Sequence, residues 1–116
     1  MAMRRLALWT GLAMTCSPAL ATQGMVCEGQ GASVDLLYGH AAVPGLLEAR
    51  LQIGDKVVPT AIAQSWSGEN DTMIDLADPD QMAVISKIRL KWARQTWRGT
   101  LTYNRRTYVI RCGEAG

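Results

Sequence analysis

Alternation of apolar and polar positions runs through most of the chain. Over residues 32–38, Val34 and Leu36 fall on one face and Ser33 and Asp35 on the other, the period of a half-buried strand. Residues 46–53 repeat it, with Leu47, Ala49, Leu51 and Ile53 opposite Glu48, Arg50 and Gln52. The pattern returns over 88–92, where Ile88, Leu90 and Trp92 alternate with Arg89 and Lys91. Two β-rich runs, 98–103 and 107–112, flank the polar turn Asn104-Arg105-Arg106 and predict a closing hairpin. Shorter runs at 25–28 and 72–76 read as further strands.

The punctuation between these runs is equally informative. Gly29-Gln30-Gly31 predicts a turn, and residues 39–45 a loop. Gly54-Asp55 sits between two alternating runs, and a two-residue primed turn needs such a pair because Gly tolerates positive φ. The returning run, 56–66, contains Pro59. Proline donates no ladder hydrogen bond, so this strand belongs at an edge or carries a bulge. Residues 67–71 form a polar turn. Asp78-Pro79-Asp80-Gln81 has the spacing of a helix start, with Asp78 as cap, Pro79 at the first position, and Met82, Ile85 and Ile88 toward the core. Residues 84–88 fit either helix or strand. The expected fold is mainly β: a small antiparallel β-sandwich or barrel with one short helix.

The first 21 residues stand apart from this pattern. Arg4-Arg5 precede an apolar run from 6 to 14, Pro18 breaks it, and Ala19-Leu20-Ala21 puts small residues before a cut at Thr22. That is the layout of a cleaved secretory signal, and the run is short for a membrane span. The expected product is one exported domain, residues 22–116, in a periplasmic or secreted location and not transmembrane after processing. Ala13-Met14-Thr15-Cys16 matches a lipoprotein box poorly, so the preferred reading removes Cys16 with the signal; a lipid anchor on Cys16 is the alternative. Two cysteines, Cys27 and Cys112, then remain in an oxidising compartment, which predicts one disulfide joining the ends of the domain.

Processing also changes the charge. Arg4 and Arg5 leave with the signal, so ten of the twelve basic residues remain against ten acidic ones. The two signs are segregated. Residues 22–80 hold nine acids and only Arg50 and Lys56, whereas 81–116 hold eight basic residues and only Glu114. One reading is that the halves pair across a sheet. The other is a basic face offered to an anionic partner. The candidate residues are Lys87, Arg89 and Lys91, sharing the outward side of one strand, with Arg94 and Arg98 beyond them and Arg105, Arg106 and Arg111 following in the neighbouring segments. Trp92, Trp97, Tyr103 and Tyr108 are interleaved, as stacking residues are in nucleic-acid binders. Export and a neutral net charge argue against nucleic acid. An anionic envelope polymer or a protein surface is the expected partner, and core packing is the simpler role for the aromatics.

Catalytic chemistry finds little support. The lone histidine, His40, lies in a Gly- and Pro-flanked loop, and no serine sits in a Gly-x-Ser-x-Gly elbow. One histidine and no spare thiol make a poor zinc site. The acids from Glu69 to Asp80 match no calcium loop. No catalytic residues, metal site or cofactor are expected.

A cysteine just past the signal and another at the very end, with Ser67-Gly68 between, resemble the periplasmic inhibitors of c-type lysozyme. The resemblance implies a small stapled β-barrel in which the Ser-Gly loop enters the lysozyme cleft. Asn70 and Asp71 stand where that family carries an aromatic soon after the glycine. Taken together, the sequence predicts a small exported envelope protein acting as a non-catalytic binding or inhibitory module. The alternatives are a structural or assembly accessory of an envelope complex, or a relative of the lysozyme inhibitors.

Overall fold

The computed structural model describes residues 22–39 and 45–114. The predicted signal, Cys16 and His40 lie outside the described residues. Nine strands account for most of the rest: β1 (Thr22–Gly29), β2 (Ala32–Gly39), β3 (Gly45–Ile53), β4 (Lys56–Val58), β5 (Ala61–Ser67), β6 (Asp71–Ala77), β7 (Val84–Ala93), β8 (Thr96–Tyr103) and β9 (Arg106–Glu114). They form one antiparallel sheet in the order β4-β3-β2-β1-β9-β8-β7-β6-β5. The sheet curls into a half-barrel rather than dividing into the two layers of a sandwich. No helix among the described residues is long and apolar enough to cross a membrane.

Two meanders, β1 to β4 and β5 to β9, are joined where β9 pairs with β1. Cys27 and Cys112 face each other in that ladder and are bonded. The staple closes a loop with a sequence separation of 85. Such a loop is worth about 4–5 kcal/mol on chain entropy, a large share of a small domain's stability.

The concave face holds the core. Leu36, Leu51, Ile74, Leu76, Ile88, Leu90, Leu101 and Ile110 are fully buried there. Each sits at an alternate position of its strand, so the period-2 pattern is what places them. Two glycines permit the curl. A Cβ at Gly29 would run into the Val109 carbonyl oxygen, and one at Gly99 into that of Arg89. Strand glycines of this kind let neighbouring backbones approach at tight bends.

Several expectations need correction. No helix forms among the described residues. Asp78 does cap, its Oδ1 accepting from the Asp80 amide at 2.7 Å. The chain then makes a single turn, closed by Met82 N–H to the Asp78 carbonyl. Met82 adopts φ 57° and is exposed instead of facing the core. Strand β7 begins at Val84, so the ambiguous segment 84–88 is strand. Leu47 is also exposed, against its expected inward position. The register shifts between Leu37 and Tyr38, so Leu46 pairs with Tyr38 and turns inward in its place.

The run 56–66 is two strands. The break falls at Pro59-Thr60, where the chain crosses from β4 at one sheet edge to β5 at the other. The Gly54-Asp55 turn forms as read, with Gly54 at φ 63° and Ile53 paired to Lys56. The closing turn is one residue shorter than expected: Asn104 and Arg105 both have positive φ, and Arg106 already pairs with Tyr103.

Candidate functional site

Strand alternation sends the predicted basic residues to the convex face, where ladder register decides which ones meet. Lys91 of β7 lies opposite Arg98 of β8, and Arg98 lies opposite Arg111 of β9. Asp71 and Glu28 occupy the two ends of this row. Strands are about 4.8 Å apart, so the three cations span roughly 10 Å. Like charges directly opposite destabilise a sheet. Here the flanking acids do not neutralise them by contact: among the described residues the ion pair is Arg89 to Asp75, at 2.9 Å. The Arg98 Nε is buried without a hydrogen-bond partner. Beside it lies a shallow recess of about 430 Å³ lined by Glu28, Arg98, Val109 and Arg111.

The other predicted cations take different places. Arg89 is committed to contacts within the sheet, its Nη1 donating to Asp75 Oδ1 and to the Ile88 carbonyl, both at 2.9 Å. Lys87 is exposed opposite Asp75 and Thr102. Arg94 sits in the β7–β8 turn at φ 54°, away from the row. Arg111 belongs to the row, opposite Arg98, a pairing that the expected closing turn does not give. A three-residue turn at 104–106 sets Arg98 against Cys112. The true two-residue turn shifts the register by one and brings Arg111 across.

A second region lies at one open end of the half-barrel, here called the mouth. A cavity of about 570 Å³ opens there, lined by Met25, Tyr38, Ser67, Thr72, Trp92 and Trp97 among others. Trp92 and Trp97 are paired across the β7–β8 hairpin, with ring centroids 5.5 Å apart in an edge-on arrangement. Trp97 packs on the core while Trp92 stays 45% exposed. Thr96 Oγ1 donates to the Cys112 carbonyl at 3.0 Å, tying the hairpin to the stapled strand. Tyr38 reaches across the mouth to hydrogen-bond with Ser67. Burial pushes its phenol above the ordinary value, and the Ser67 contact works in the opposite direction.

Other sequence candidates do not converge on a reaction centre. Tyr103 and Tyr108 pack against the core at the opposite end. The Ser86 hydroxyl is buried without a partner among the described residues. Ser67 ends β5 with its side chain toward Tyr38, and Gly68 N–H bonds the Asp71 carbonyl in the turn that follows. No group of three or more His, Cys, Asp or Glu among the described residues is placed to hold a metal ion. Comparison with family models, curated proteins and solved structures finds no match to this chain.

Proposed function

We propose that this protein is a small exported domain that acts by binding, and that its convex cationic row engages an anionic polymer of the cell envelope. One observation carries the reading: Lys91, Arg98 and Arg111 stand side by side with no ion pair to any described carboxylate, and the Arg98 Nε lacks a partner. A sheet holds such a row at an electrostatic cost that a bound polyanion would relieve. The disulfide supports an oxidising compartment, and the N-terminal pattern supports export.

The test is retention of the processed protein on immobilised polyphosphate across a salt series. Retention that weakens with salt, and an Arg98→Gln/Arg111→Gln variant that elutes at lower salt while melting like the wild type, is the expected result. Retention that ignores salt, or that persists unchanged in the variant, would remove the row from the account.

A second reading, an assembly accessory held in a larger envelope complex, draws on the sheet's two edges, which are unpaired among the described residues. Migration of the native protein as a free monomer in envelope extract counts against it.

A further inference from the structure

The sheet's two edges are consecutive in sequence yet lie at opposite ends of the strand order. Curling brings β3 and β5 toward each other, but no ladder joins them. The seam between them has two halves. In one, β4 pairs with residues 51–53 of β3, and Thr60 Oγ1 donates to the Ala49 carbonyl at 3.2 Å. In the other, residues 45–48 of β3 and 63–67 of β5 have no backbone partner among the described residues on their seam sides. This second half opens into the mouth, where Tyr38 and Ser67 line the cavity.

Natural sheets guard such edges with lysine, proline or covering elements. On the β5 side no such guard is present among the described residues: β5, AIAQSWS, contains no charged residue or proline, and Trp66 and Leu47 are more than half exposed beside the seam. The inward positions of β5 at this end are Ser65 and Ser67, opposite Ile74 and Thr72. Ser67 lines the cavity, and its small side chain leaves room there.

We infer that the open half of the seam is a docking slot for an extended peptide segment of a partner protein, which adds as a strand along β3 or β5 and directs alternate apolar side chains into the mouth. Strand addition uses main-chain hydrogen bonds for affinity and pockets for alternate side chains for selectivity. Facing edges on both sides favour a strand that is free on both sides. An edge strand of a second folded copy already has one side engaged in its own sheet. Charge narrows the partner further. Glu114 is the one charged residue among those lining the cavity, so an acidic segment is disfavoured there.

The experiment selects peptides from a random twelve-residue display library against the processed protein. It then compares each selected peptide with its alternately N-methylated form. A variant, Ala63→Lys/Gln64→Lys, adds edge charges at two exposed positions of β5 that are not the inward ones and is first matched to the wild type by thermal melting. The expected peptides alternate apolar with non-acidic residues. Each shifts amide resonances at 45–49 and 63–67, quenches the Trp92–Trp97 fluorescence, and loses about tenfold or more in affinity on N-methylation or against the variant. A selection that yields no binders, or binders indifferent to N-methylation and to the added lysines, overturns the proposal. Because the row Lys91–Arg98–Arg111 is untouched throughout, polyphosphate retention stands or falls separately.

Discussion

The two ends of the half-barrel are built from the same strands but finished differently. At the closed end, Ala32, Val58, Leu76, Ala77 and Ser86 are buried, and Tyr103, Tyr108 and Ile53 pack over them. The β4 strand and the Thr60 contact seal the seam beside them. At the mouth, Met25, Tyr38, Leu46 and Trp97 are only partly covered, and Trp92 is nearly half exposed. What holds that end is the Cys27–Cys112 staple at the cavity wall and the Trp92–Trp97 pair. The difference teaches a division of labour: packing secures one end, and a covalent tie secures the other without filling it. A tie that occupies little volume leaves room for a ligand.

The strongest way to break that comparison is to remove the tie. Cys27→Ser with Cys112→Ser should cost about 4–5 kcal/mol, read as a lower urea midpoint. A loss below about 1 kcal/mol would show that packing alone holds both ends. Next is a contrast of truncations. Leu76→Ala, at the fully buried closed end, should cost about 2–5 kcal/mol. Trp92→Ala should cost less, about 0.5–1.5 kcal/mol for its aromatic pairing plus a burial loss reduced by its 45% exposure. Equal costs in the same denaturation assay would erase the distinction.

The turns sharpen it further. Asn104-Arg105 holds two non-glycine residues at φ 52° and 67°. Arg105→Gly relieves left-handed strain and should raise stability by about 1 kcal/mol, with the melting temperature as readout. The smallest effect concerns pH. Burial keeps the folded Tyr38 phenol above its ordinary value of 10.0. Unfolding lets it ionise more readily, so its contribution is intact below about pH 10 and is lost as pH rises through the folded value. Tyr38→Phe should therefore show a shallower fall in urea midpoint between pH 9 and 11 than the wild type.

Much of the half-barrel was legible in the chain because alternation and turn chemistry are local. Val34, Leu36, Leu51, Ile88 and Leu90 point inward as their period predicts, and Gly54 turns where it should. The disulfide followed from counting cysteines. What failed depended on long-range pairing. The bulge that exposes Leu47 is fixed by β2, ten residues earlier, and nothing near Leu47 announces it. The capping spacing at Asp78 was real, but β7 pairs from Val84 with β6 at Ala77, and that ladder outcompeted a helix. A positive φ at Arg105 is rare for such a residue, so the two-residue turn was missed and with it the pairing of Arg111 with Arg98. The mouth was invisible for a similar reason. Tyr38, Ser67 and Trp92 come from three distant segments, brought together only by the curl.

Amide hydrogen exchange of the processed protein tests the open seam most directly, because it reports each edge separately. The account predicts that seam-facing amides within 45–48 and 63–67 exchange as fast as exposed turns, while Leu101, Ile110 and the β9–β1 ladder exchange only on global unfolding. If those two edges are protected as well as the β9–β1 ladder, the barrel is closed along its whole length and the mouth is no slot.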